Sequence, residues 1–184
     1  SPRAMLDRGM LYLPSDRRAE GLIMEQNIRE NISLPSLGLP KFSNGFIVNR
    51  KNEKDIVEKI GDRLNFNTQG IENKIEQLSG GTQQKVMLAK SFARDVQLFI
   101  LDEPTVGVDI GTRVAIYELI KEFCESGGAV MLISSDLSEI VNLSHRVYIL
   151  SEDNLCAEFN AEDCSEHLIQ SYFIKSKAQI VEAS

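Results

Sequence analysis

The sequence predicts an α/β protein built on a parallel sheet. Three observations carry that expectation. After residue 96, short apolar runs alternate with stretches of helical spacing. "VQLFILDEP" is a continuous apolar run ended by two acids and a proline, which suits a parallel strand buried on both faces. Between about residues 24 and 95 the pattern is mainly helical, and reads as an insertion into the sheet layer.

Taken in order, "MLYLP" is a short buried strand stopped by Pro14, and "SDRRAEGLIME" is a polar turn around Gly21. "QNIRENISLPSLGLP" mixes a short helix with a proline-broken segment. "NGFIV" is either a turn with a strand or a loop. In "NEKDIVEKIGDRLNF", Ile56, Ile60 and Leu64 recur every four residues and make one apolar helix face. "GTQQKVMLAKSFARD" places Val86, Ala89 and Ala93 at helical spacing, with Lys85, Lys90 and Arg94 on other faces. "GTRVAIYELIKEFCESGG" is a helix stopped at Gly127 and Gly128. "AVMLISS" is a second buried strand, "DLSEIVNLS" a short helix capped by Asp136, and "HRVYILSEDN" a strand and a turn. A tail from Ala161 to about Lys177 reads as helical.

The totals narrow the function classes. A chain of 184 residues with 42% hydrophobic and 26% charged residues fits one packed domain. A formal net charge of −7 argues against nucleic acid as a partner, though a local basic patch is compatible with it. Cys124, Cys156 and Cys164 form no C-x-x-C and read as reduced, buried thiols. No stretch reaches the roughly 18 apolar residues of a membrane span, and the first residues lack the apolar core of a secretion signal. The expectation is a soluble chain that can still dock on a membrane protein.

Two short stretches carry chemistry. In "LFILDEP", Asp102 and Glu103 stand at the C-terminal end of a strand, where open α/β sheets bind ligands. Asp102 can hold Mg²⁺ largely through water, and Glu103 can polarise an attacking water or take its proton. The alternative is a solvated strand end followed by a turn. In "LSGG", Gly80 and Gly81 let backbone N–H groups approach a phosphate at a helix start, and the Ser79 hydroxyl adds a donor. The alternative is an ordinary helix cap.

The order "LSGGTQQKVMLAK", "LFILDEPTVGVD", "VMLISSDLSEI" resembles an ATP-binding-cassette (ABC) ATPase. The three pieces are similar to its signature, its Walker B strand with D-loop, and its switch region. "YLPSDRRAEGLIMEQNIRENI" resembles the second nucleotide-binding half of fused monosaccharide-importer ATPases of the ribose, xylose and galactose type. The resemblance runs to roughly residue 160. It implies a P-loop NTPase fold of the ABC type, with a RecA-like core at 1–23 and 96–160, a helical signature subdomain at 24–95 and a tail at 161–184.

The resemblance also implies ATP and Mg²⁺ as cofactors. Ser79, Gly80, Gly81 and Gln84 become the nucleotide-binding positions, Asp102 the metal position, Glu103 the catalytic one, and Asp109 a D-loop residue at the interface between halves. The family's G-x-x-x-x-G-K-[ST] loop has no counterpart, because none of the twelve glycines is followed by lysine. The chain therefore reads as an incomplete half-domain, opening where that loop's segment would end. On its own it is expected to bind ATP poorly and hydrolyse it negligibly. The family's sheet also places the P-loop strand between the strand ending near Ser134 and the one at Arg146 to Leu150. Without it the two strands close up or leave an open edge, with oligomers or poor stability as the result.

Ser15 stands where the family has the sensing Gln of the Q-loop, and Ser135 where it has the switch His. His145 lies one helix too late for that switch role and reads as a helix-end or surface residue, and His167 as a solvent-facing one. A complete signature with degenerate Q-loop and switch positions implies that Ser79, Gly80 and Gly81 complete the ATP site of a partner half. The implied partners are the N-terminal nucleotide-binding half, the permease subunits and, indirectly, a sugar-binding receptor. The implied place is the inner face of the cell membrane. Two other readings compete. One is the C-terminal half of a chromosome-maintenance or DNA-repair ABC ATPase, which the missing heptads before "LSGG" and the acidic balance oppose. The other is a truncated interaction module without catalysis.

Overall fold

A computed structural model describes residues 1–66, 70–151 and 154–172. The chain divides into two compact units, Ser1–Ile133 and Ser134–Ser184.

The first unit is organised around a three-stranded parallel sheet. Its strands are β1 (Met10–Leu13), β4 (Leu98–Asp102) and β5 (Ala129–Ile133), in the order β1-β4-β5. The register aligns Leu13 with Leu101 and Leu101 with Leu132. Side chains alternate across a strand, so Leu11, Leu13, Phe99 and Leu101 share one face, and all four are buried. Tyr12, Met131 and Ile133 share the other and are exposed. The expected burial on both faces therefore holds for one face only. The reason is visible in the helices: the Phe99 ring stacks on Phe123 of α5 (Ile110–Glu125) at 3.9 Å and meets Phe92 of α4 (Gly80–Phe92) edge-on at 6.4 Å.

The helical region comprises α2 (Ile28–Ser33), a hairpin of β2 (Ser43–Asn44) and β3 (Ile47–Val48), α3 (Arg50–Arg63) and α4; a short α1 (Pro2–Leu6) precedes β1. The "NGFIV" stretch is thus a turn with a strand. Asn27 caps α2 in a capping box with Glu30. In α3 the buried face is Val57, Ile60 and Gly61, with Ile56 only half-buried. Glu53 joins that face because Arg29, itself buried, donates to it from Nη1 at 2.7 Å and to Glu72 from Nε at 2.7 Å. Ser33 Oγ donates to the second Glu53 oxygen at 2.6 Å. Each buried charge therefore has its partner, as burial requires. The Arg29 hydrogen bond holds the Glu72 carboxyl below its ordinary range.

Val86 and Ala89 of α4 and Ala93, its C-cap, are fully buried, as their spacing predicts. The "SDRRAEG" turn contains a π-turn, Arg17–Gly21, capped by Asp16, whose Oδ1 accepts from the Arg18 and Ala19 amides. This turn is fastened along α4. A Cβ on Gly21 would stand 2.5 Å from Met87 Sδ, and Lys90 Nζ donates to the Gly21 carbonyl.

The second unit holds α6 (Leu137–Leu143), an antiparallel hairpin of β6 (Arg146–Ser151) and β7 (Asn154–Asn160), and a helix, α7, at 166–172. Val147, Ile149, Cys164 and Ile169 form its core against Leu137, Ile140 and Phe159. Sequence reading placed one strand and a turn here, where a hairpin stands. The predicted tail helix begins at 166, and its last residues lie outside the described ones. β6 pairs with β7 and β5 with β4, so among the described residues β5 and β6 are not joined in one sheet. Of the three thiols, Cys164 is buried, Cys124 half-buried and Cys156 exposed on the hairpin, which corrects the expectation of three buried ones. His145 and His167 are exposed, as expected of surface residues.

Candidate functional site

The "LSGG" stretch forms a turn at the start of α4. A single helical turn, Ile75–Gln77, precedes it, and Gln83 Nε2 pins that turn by donating to the Ile75 and Leu78 carbonyls at 3.1 and 3.2 Å. Ser79 is the N-cap: its Oγ accepts from the Thr82 amide at 3.3 Å and lies 3.0 Å from the Thr82 hydroxyl. Ser79 is exposed and Gly80 and Gly81 are partly so, leaving the first amides of a thirteen-residue helix at the surface. Gln84 is buried, only 2% exposed, and does not share that surface.

The glycines are needed for a second reason. A Cβ on Gly81 would lie 2.7 Å from Thr112 Oγ1 and 3.2 Å from Asp109 Oδ2. A Cβ on Gly80 would lie 2.9 Å from Arg17 Nη2 and 3.4 Å from the Gly107 carbonyl oxygen. The start of α4 therefore abuts the loop that leads into α5. Asp109 caps α5: its Oδ1 accepts from the Thr112 amide and its Oδ2 from the Thr112 hydroxyl, both at 2.9 Å. Chiefly the Thr112 amide hydrogen bond holds the Asp109 carboxyl below its ordinary range. Val106, Ile110 and Val114 are exposed around Asp109.

The carboxylate edge is built differently. Asp102 ends β4, half-buried, and its Oδ2 accepts from the Tyr12 hydroxyl at 2.8 Å. That hydrogen bond raises the Tyr12 phenol above its ordinary value of 10.0. Glu103 follows with φ +48, a left-handed backbone for a non-glycine residue, held by its amide donating to the Ile133 carbonyl at 2.8 Å. Ser15 is exposed just beyond β1. Ser135 is exposed at the start of the second unit, where the Ser134 hydroxyl accepts from the Asp136 amide at 3.1 Å. The structure thus brings Ser79, Gly80, Gly81 and Asp109 together, and sets Asp102 and Glu103 side by side on a strand end.

Tyr12, Gln83, Thr112 and Arg17 belong to these arrangements and were not singled out from the sequence. Gln83 had a local signal, its place in "GGTQQK". Thr112 lies three residues from Asp109, within the α5 cap, while Tyr12 and Arg17 act across long sequence separations.

Comparison with known proteins gives the same fold. An ATP-binding cassette dimer in a post-hydrolysis state bound to ADP and Pi matches at a TM-score of 0.69 with 22% identity, over 83% of this chain and 62% of that one. A nucleotide-free ATP-binding cassette from an ABC transporter matches at 0.71 with 19% identity, over 93% of this chain and 67% of that one. Among curated relatives, the ribose import ATP-binding protein RbsA 2 of Rubrobacter xylanophilus is 39% identical over 93% of the chain. The L-arabinose transport ATP-binding protein AraG of Geobacillus stearothermophilus is 36% identical over 93%. The chain spans about a third of the length of these relatives, 33% in both cases. The family model described as ABC transporter matches residues 2–106. With the family model, the curated relatives and the fold in agreement, the chain belongs to the ABC transporter ATP-binding family.

Proposed function

We propose that this chain is part of the ATP-hydrolysing component of a monosaccharide importer, and that its signature turn completes an ATP site carried by a partner nucleotide-binding half. The observation that carries this reading is the corner where α4 and α5 begin together. Ser79, Gly80 and Gly81 present helix-start amides at the surface, and the exposed Val106, Ile110 and Val114 flank them. Exposed apolar side chains beside surface amides suit a face that closes on another protein with a phosphate between them. The sugar class rests on the relatives named for ribose import and arabinose transport.

Within that reading Ser79 donates from its hydroxyl while its oxygen keeps the Thr82 amide. Gln84, being buried, supports the helix from within. Asp109 stands at the interface between halves. Asp102 and Glu103 line a second, weaker site, since Ser15 and Ser135 stand at the Q-loop and switch positions. The Asp102 Oδ1 makes no hydrogen bond among the described residues, which fits one carboxylate ligand to a hydrated Mg²⁺. That ion would offset charge on the nucleotide's phosphates. Glu103 would hold a water by hydrogen bond and accept its proton. The permease subunits and, indirectly, a sugar-binding receptor are the further partners, and the chain itself docks at the inner face of the membrane. Among the described residues no helix is long and apolar enough to cross a membrane.

The test is ATP hydrolysis by the importer assembled with its permease, comparing wild type with Ser79→Ala and Gly81→Asp in this chain. Loss of turnover by about 100-fold or more in Gly81→Asp is the expected result. Full turnover in both variants would end the trans assignment. The 184-residue chain alone is expected to show negligible hydrolysis; turnover by it that Glu103→Gln removes would end the proposal that it depends on a partner.

A further inference from the structure

The π-turn after β1 delivers one side chain into the corner where α4 and α5 begin. Arg17 Nη1 donates to the Val106 carbonyl at 3.1 Å. Its Nη2 stands 2.9 Å from where a Cβ on Gly80 would be and 3.6 Å from the same position on Gly107. Gly107 has φ +70, a backbone that glycine adopts freely, so the loop bends sharply at the residue beneath the guanidinium. The Arg17 Nε is shielded from solvent and has no acceptor among the described residues.

That nitrogen therefore does not hold the side chain in place. What holds it is its carrier. The π-turn is fixed along α4 by the close approach of Gly21 to Met87 and by the Lys90 hydrogen bond to the Gly21 carbonyl. The turn therefore carries Arg17 as a rigid arm from the helix it serves.

We infer that Arg17 is a positioning residue for the signature turn: its guanidinium ties the Val106–Gly107 loop to Gly80 and fixes the starts of α4 and α5 in one register. The inference rests on the trans-signature reading, and it adds the residue that sets that surface's geometry. The planar fork matters more than the charge. One nitrogen donates to the loop while the second packs against Gly80, and a lysine ammonium on a flexible stem cannot reproduce both. Because the arm leaves β1 through Pro14 and Ser15, a shift at that sheet edge moves Gly80 and the 106–109 loop together.

Two measurements test this, and they fail independently. The first is backbone amide order by NMR on the 184-residue chain, comparing wild type with Arg17→Lys and Arg17→Met. Order parameters at Gly80, Gly81 and Gly107 should fall from about 0.85 toward 0.6 in both variants, with Phe99 to Leu101 unchanged. Unchanged order at those glycines in a folded variant overturns the inference, as does full restoration by lysine. The second is steady-state hydrolysis in the assembled importer. Both variants should lower kcat by about tenfold with the KM for ATP within about twofold, since the signature would be misplaced and not removed. A change confined to KM overturns the positioning role. If the wild-type assembly shows no dependence on Ser79 or Gly81, the trans reading fails, while the order parameters still decide the structural tie.

Discussion

At the start of α4 the backbone is relaxed and crowded; at the end of β4 it is strained and open. The signature turn has a capped helix, two glycines filled on both sides by Arg17, Gly107, Asp109 and Thr112, and a pinned preceding turn. The strand end has a left-handed Glu103 and an Asp102 that accepts a hydrogen bond from an exposed tyrosine. A surface that must present a fixed set of amides to another protein gains from close packing around it. Under the proposed function, the Glu103 carboxylate that holds a water is instead aimed by backbone strain, at a cost to stability. On that reading, the packed turn is the one that serves the partner half and the strand end belongs to the weaker site.

The comparison breaks most completely at Gly81. In Gly81→Val a branched side chain meets Thr112 Oγ1 and the Asp109 carboxylate, both held by the α5 cap. We expect a loss of about 1–3 kcal/mol in urea unfolding of the chain, and loss of turnover by at least about 100-fold in the assembled importer. Gly80 should behave differently. Its neighbour at 2.9 Å is the far end of a flexible arginine, so Gly80→Asp should fold normally, its carboxylate facing the Arg17 guanidinium. A larger stability loss at Gly80 than at Gly81 would show that the crowding is assigned to the wrong glycine.

The close packing along α4 has its own cost, at Lys90. Burial lowers its ammonium from 10.5 to about 8. The sign follows from proton counts. Between about pH 8 and 10.5 the unfolded chain holds the proton and the folded chain does not, so this group's contribution to stability rises with pH across that window. Below pH 8 both states are protonated and the full cost of burying the charge remains. That cost is on the order of 3 kcal/mol, an upper figure since the Gly21 carbonyl offsets part of it. In urea unfolding from pH 7 to 10.5, Lys90→Met should remove the rise that wild type shows. Parallel pH curves for the two would place Lys90 in a wetter setting than the structure gives it.

Glu103 offers a smaller test. Glycine accepts φ +48 without the Cβ conflict, so Glu103→Gly should relieve about 1 kcal/mol of backbone strain that Glu103→Gln retains. Both remove the proposed proton acceptor. A destabilised Glu103→Gly would mean that the side chain, and not the backbone, holds this corner.

Much of the signature side was legible in the sequence because its determinants are local. A hydroxyl, two glycines and an apolar face at helical spacing lie within fifteen residues. The strand-end acids were legible for the same reason. The tertiary ties were not. Arg17 reaches Val106 across 89 positions and Tyr12 reaches Asp102 across 90, and both contacts depend on the parallel register of β1 with β4. The one-sided burial of the sheet was hidden too, because Ile100 and Met131 are as apolar as Phe99 and Leu101. The β6–β7 hairpin escaped because Leu155 and Cys156 sit exposed on β7, so its pattern does not alternate as a half-buried strand should.

The smallest effect is expected at the hydrogen bond between Tyr12 and Asp102, and it isolates the open edge from the crowded one. The Asp102 carboxylate raises the Tyr12 phenol by accepting its proton in a hydrogen bond, which favours the neutral form. The folded value therefore lies above the unfolded one. The bond contributes fully below about pH 10 and is lost as pH rises through the folded value. Tyr12 is exposed, so the contribution to stability is small, and the titration itself is the better readout. Ultraviolet difference titration of the four tyrosines should show one phenol ionising late in wild type. Asp102→Asn should return it to the ordinary range, and Tyr12→Phe should remove it. If Tyr12→Phe also strengthens Mg²⁺ binding in the assembled importer, the tyrosine is occupying a carboxylate oxygen that the ion would otherwise take. An unchanged titration in Asp102→Asn would detach Tyr12 from the strand end and leave Asp102 without its described partner.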